Sequence, residues 1–162
     1  MTLKDSFTPE EWARVVAAPL VAGIAVTAAD PGGIFGAVRE SFAVAGAVQQ
    51  AKAADAAPLL GEIAAAYDSS EGRDMAREVL KEQAKGKAPA AIVDAALAEL
   101  AAASALVAAK APEAAPAFRA WLKTIAERVA EAGTEGGFLG FGGAKVSAAE
   151  KATLDRIATA LG

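Results

Sequence analysis

Apolar side chains recur every three or four positions along most of this chain, the period of helices with one buried face. The first stripe is Trp12, Val16, Leu20 and Ile24. Just ahead of it, Thr8 can cap, Pro9 suits the first helical position and Glu11 completes a capping box. Pro19 lies inside this helix and is expected to kink it, and Gly23 on the inner side would admit a close neighbour. Asp30 and Pro31 stop the first helix and start a second, where Phe35, Val38, Phe42 and Ala45 carry the stripe to about Ala54. A short third helix spans roughly Pro58 to Tyr67 and buries Leu59, Leu60 and Ile63. Ser69 or Ser70 caps a fourth, which ends at Lys85 with Gly86 as the stop.

The fifth helix runs from about Pro89 to Lys110, with Ile92, Ala96, Leu100, Ala103 and Val107 inward, and Pro112 terminates it. The sixth, from about Glu113 to Ala132, carries Phe118, Trp121, Leu122, Ile125 and Val129 and stops at Gly133. A loop from Thr134 to Val146 follows. Ser147 and Glu150 then form a second capping box ahead of Leu154, Ile157 and Leu161. No segment alternates with period two, so no sheet is predicted. The expected fold is all-α, with about seven helices in one domain over residues 1–162. Helices one and two form one antiparallel pair, and five and six form another. Together they make a four-helix core that the shorter helices cover.

Composition supports this picture. Hydrophobic residues make up 54% of the 162, too many for a disordered chain. Alanine accounts for most of the excess; it is the best helix former, and its small size lets helices approach closely. The net charge is −4 and the pI about 4.9, and no segment is strongly basic, which argues against a nucleic-acid groove. Cysteine and histidine are both absent. That removes disulfides, thiol nucleophiles, thiolate and imidazole metal ligands, and the commonest general base. The polar stretch Met1–Thr8 has no basic-then-apolar leader pattern, and the charge-free run Val15–Ala29 is read as a buried core helix rather than a membrane span.

Candidate sites are few. The stretch Glu135-Gly136-Gly137-Phe138-Leu139-Gly140-Phe141-Gly142-Gly143 puts three large apolar side chains among five glycines. Such a cluster must be covered, by the chain's own core or by a partner. Phe138, Leu139 and Phe141 are therefore the candidate partner-binding residues. No Lys-Ser or Lys-Thr pair follows these glycines, as a phosphate-binding loop requires. Trp12, Phe35, Phe42 and Trp121, with Phe118, form either plain core or the lining of a pocket for an apolar ligand. On the fourth helix Arg73, Arg77, Lys81 and Lys85 recur every four residues beside Asp74, Glu78 and Glu82, a pattern that reads as a solvated face of weak ion pairs. Asp68 to Asp74 superficially suggests a calcium loop, but Arg73 stands where the glycine belongs and Val79 where the closing acid belongs. Glu40, Glu62, Asp94 and Glu99 could face inward in a carboxylate bundle, without the histidines such metal sites add.

The closing stretch, Val146-Ser147-Ala148-Ala149-Glu150 through Leu154, Ile157, Leu161 and Gly162, resembles the last helix of tellurite-resistance TerB-like domains. Ala28-Ala29-Asp30 is similar to the turn of their first repeat. Where the family has Asp-Gly, this chain has Asp30-Pro31, and Glu135-Gly136-Gly137 leads into a longer insertion. The resemblance implies a duplicated all-helical domain in a metal-linked stress response, with Asp30 and Glu135 as possible ligands to a divalent cation.

The leading functional expectation is a non-enzymatic, cytoplasmic interaction module without a cofactor. It would bind a protein partner or itself, and neither nucleic acid nor the bilayer interior. The second expectation is a carrier or sensor of a small apolar ligand in the bundle core, and the third a TerB-like cation-binding protein.

Overall fold

The computed structural model describes residues 2–30, 37–52, 57–134 and 146–162; the side chains of 37–43, 133 and 134 also fall outside the description. Seven helices form among the described residues: α1 (Pro9–Ala29), α2 (Ala37–Gln50), α3 (Pro58–Ala66), α4 (Ser70–Ala84), α5 (Pro89–Lys110), α6 (Ala115–Thr134) and α7 (Ala148–Leu161). Two short 3-10 turns, Leu3–Ser6 and Pro112–Ala114, complete the regular structure, and no described segment is a strand. The fold is all-α, as the apolar period implies.

Local chemistry sets the helix ends. The Glu11 amide donates to Thr8 Oγ1 at 3.2 Å, and the Thr8 amide donates to Glu11 Oε2 at 2.8 Å. Ser147 and Glu150 repeat this reciprocal box at 3.1 and 2.7 Å. Ser69 caps α4 by accepting from the Gly72 amide at 3.0 Å. Gly86, at φ 69°, supplies the left-handed residue that ends α4. The sixth helix departs from expectation at its start: Pro112–Ala114 is a 3-10 turn, and the α-helix proper begins at Ala115. The second helix ends at Gln50, short of Ala54.

α1 is the hub. It packs most extensively against α5, next against α4 and α6, and also touches α2, α3 and α7. The main contact of α2 is with α6. The four helices α1, α2, α5 and α6 therefore associate mostly across the two sequence-adjacent pairs rather than within them. α1 and α5 run antiparallel. Lys110, at the end of α5, donates to Glu11 Oε2 at 2.7 Å and to the Ser6 carbonyl at 3.2 Å, and further along Arg14 lies 3.5 Å from Glu99. Both helices, of 21 and 22 residues, are long and apolar enough to cross a membrane, and here each covers the other.

Buried side chains from all seven helices form one hydrophobic cluster, whose largest fully buried members include Phe118, Leu59, Ile63, Leu100, Leu122, Ile125, Ile157 and Leu161. α1 continues through Pro19, which is buried. A proline has no N–H to give the carbonyl four residues back, here Val15. One residue on, the Val16 carbonyl accepts the Tyr67 hydroxyl at 2.6 Å. At the far end of the bundle, Ser104 Oγ donates to the Leu161 carbonyl at 2.7 Å and accepts from Arg119 Nε at 2.9 Å, tying α7 to α5 and α6. The turn Leu3–Ser6 is held by Glu62 of α3, whose two carboxylate oxygens accept the Leu3 and Lys4 amides at 3.0 and 2.8 Å.

Candidate functional site

The second half of the α1 stripe behaves differently from the first. Trp12 and Val16 are buried, but Leu20 and Ile24 are only partly so. They face a partly open cavity of about 480 Å³, within the range of roughly 300–1,000 Å³ usual for small-molecule pockets. α1 lines it with Leu20, Gly23, Ile24 and Thr27, one face at helical spacing. The opposite wall is Val44, Ala45, Val48 and Gln49 of α2, and the remainder is Tyr67, Arg73 and Leu80, from the end of α3 and from α4. A Cβ at Gly23 would stand 2.9 Å from Val44 Cγ2, so α1 and α2 approach closely there and the cavity opens beside this contact, with Ala45 exposed at its rim.

The lining is aliphatic apart from four polar side chains. Thr27 Oγ1 donates to the Gly23 carbonyl at 3.1 Å, a bond within α1. Burial pushes the Tyr67 phenol well above its ordinary pKa, so it stays a neutral donor, aimed at Val16. Gln49 is exposed at the rim. Arg73 is partly buried, and its Nη1 donates to the Tyr67 carbonyl at 2.7 Å and to the Asp68 carbonyl at 3.0 Å. It has no carboxylate partner among the described residues, unlike Arg77 and Lys81 on the same helix, which pair with Asp74 and Glu78 at 3.1 and 3.0 Å. The expected solvated face of α4 is thus present from Asp74 to Lys81, while Arg73 turns back to the cavity.

The structure places the other sequence candidates as follows. Trp12 stacks against Phe7, tilted, with ring centroids 5.9 Å apart, at the start of α1 and away from the cavity. Trp121 is partly buried and donates Nε1 to the Ala47 carbonyl at 3.4 Å. Neither tryptophan lines the cavity. Phe42 lies on α2, but its side chain falls outside the described residues, as does Phe35 entirely. Phe138, Leu139, Phe141 and Glu135 also lie outside them. Asp30 follows the last residue of α1, its amide donating to the Thr27 carbonyl at 3.3 Å. No group of three or more acidic side chains is arranged to hold a metal ion among the described residues. Of the carboxylates considered for such a bundle, Glu62 holds the first turn, Asp94 pairs with Arg156 at 2.6 Å and Glu99 faces Arg14; the side chain of Glu40 lies outside the described residues.

The sequence reading missed Arg73 and the aliphatic lining. A usable signal was present: Leu20, Gly23, Ile24 and Thr27 share a helix face, but only two of them are large, so a packed neighbour is not guaranteed. Among the described residues the lining offers apolar surface, a hydroxyl, a neutral phenol, an amide and one guanidinium, and no carboxylate. Comparison of this chain with family models, curated proteins and solved structures finds no match.

Proposed function

We propose that this protein is a carrier or sensor that binds a small, mainly apolar ligand between α1, α2 and α4, with no catalytic step. The observation that carries the reading is the cavity itself: about 480 Å³, walled by aliphatic side chains of three elements, with a few polar groups at its edge. Water entering so apolar a cavity finds few hydrogen-bond partners, and an apolar occupant removes the lining from that water. Burial of the ligand drives binding. Each added methylene contributes about 0.8 kcal/mol, roughly a fourfold gain in affinity, until the cavity is full.

The test is a titration with a homologous series of n-alkanols, followed by competition against a neutral fluorescent naphthylamine probe. Saturable one-to-one binding that strengthens with chain length and then levels off supports the reading. Ala45→Trp, at the rim of the cavity, is expected to abolish that binding while the variant retains its helical spectrum. A parent protein that takes up neither the probe nor any alkanol overturns it.

A further inference from the structure

Among the described residues, one charged side chain lines the cavity, and its surroundings suggest which ligands it selects. Arg73 is fixed at one end only. Both hydrogen bonds of its guanidinium run from Nη1 to main-chain carbonyls, those of Tyr67 and Asp68, just beyond the end of α3. These contacts orient the plane of the group without neutralising it. Nε and Nη2 carry three further N–H groups, with no hydrogen bond and no acidic partner among the described residues. Two acids near it in sequence are otherwise engaged: Asp68 pairs with Lys52, and Asp74 with Arg77. The rest of the lining, among the described residues, is aliphatic or neutral. A partly buried cation on an apolar wall, anchored on one side and open on the other, matches an anion attached to a hydrocarbon tail.

Resting on the proposed binding function, we infer that the ligand is a single-chain anionic amphiphile. Its alkyl tail lies along Leu20, Ile24, Val44, Val48 and Leu80, and its headgroup is held by Nε and Nη2 of Arg73. A guanidinium fork binds carboxylate and phosphate oxygens in the same paired manner, so a fatty carboxylate and an alkyl phosphate share the required chemistry. Thr27 and Tyr67 donate to main-chain carbonyls of α1, which leaves Arg73 as the group that separates charged from neutral ligands of equal length.

The experiment compares dodecanoate, dodecyl phosphate and dodecanol on the full chain by calorimetric titration at neutral pH and constant ionic strength. The parent is expected to bind at least one of the two anions about tenfold more tightly than the alcohol, the scale of one hydrogen-bonded charge contact. Which anion binds tighter identifies the headgroup. Arg73→Gln should bring the anion-to-alcohol ratio to about one while the alcohol still binds. Because Arg73 also steadies the end of α3, a second variant avoids that contact. Gln49→Glu, at the exposed rim of the lining, should lower anion affinity by a larger factor than it changes alcohol affinity, so that the anion-to-alcohol ratio falls. Alcohol binding with no preference for either anion in the parent overturns this inference and leaves the apolar-ligand reading standing. So does a preference that survives both substitutions. Binding of none of the three overturns both.

Discussion

A Cβ at Gly72 would sit 2.1 Å from the Ala66 carbonyl oxygen and 3.1 Å from Ser69 Oγ. The first obstacle is backbone, which cannot swing aside as the end of a side chain can. Gly72→Ala must therefore separate the end of α3 from the start of α4, and it should destabilise the protein by about 1–3 kcal/mol, the usual cost of overpacking. A urea midpoint equal to the parent's would show that this junction yields. Nothing in the stretch Ser70-Glu71-Gly72-Arg73 announces the constraint, because the carbonyl in the way belongs to the preceding helix. The caps are the opposite case. Thr8 with Glu11 and Ser147 with Glu150 satisfy one another within four residues, so both boxes could be read directly from the sequence and both are present in the structure. Arg73 resembles Gly72. Its four-residue spacing from Arg77 and Lys81 made it one of a solvated set, and only the position of the Tyr67 and Asp68 carbonyls distinguishes it.

Element boundaries were legible for the same local reason. Pro89 to Lys110 was assigned from its flanking prolines and alanine-rich period, and α5 has those limits. Partner choice was not legible, since any apolar stripe suits any other. The pairing of α1 with α5, and of α2 with α6, depends on shapes and end contacts that no single segment encodes. Glu11 is one such contact. It accepts from Lys110 Nζ at 2.7 Å and from the Thr8 amide at 2.8 Å, and these bonds, that to Lys110 first, hold its carboxyl below the ordinary glutamate range. A carboxyl with a depressed folded-state pKa stabilises the fold above its unfolded pKa, and that contribution is lost as the pH falls through the folded value. Stability should thus decline below the ordinary glutamate pKa, and Glu11→Gln should flatten that part of the curve. The measurement is the urea midpoint from neutral pH down to about 3, parent against variant. An unchanged slope would show that the α1–α5 end contact carries no pH dependence.

For the molecule as a whole, abundant alanine has two results. It brings helices close, and alanine and glycine add little side-chain bulk to the lining of the cavity between α1, α2 and α4. The sequence left Trp12, Phe35, Phe42 and Trp121 as either plain core or a pocket lining; neither tryptophan lines the cavity, and the two phenylalanine side chains lie outside the described residues. Trp12 instead contributes to the packed cluster, and aliphatic residues form the walls. Because a bound ligand stabilises the folded state alone, an amphiphile at a hundred times its dissociation constant should add about 2.7 kcal/mol and raise the melting temperature accordingly. Ala45→Trp should show no such rise, and an equal rise in both proteins would place the ligand elsewhere. The pairing of α1 with α5 also affects the order of events during synthesis. α1 is complete at Ala29, but its chief partner is not finished until Lys110, on the order of ten seconds later at ordinary rates of translation. For that interval the growing chain carries a helix apolar enough to enter a bilayer, with the surface meant for α5 still uncovered. The α1 surface that the finished protein hides against α5 therefore has no α5 to cover it while residues 30–110 are being made.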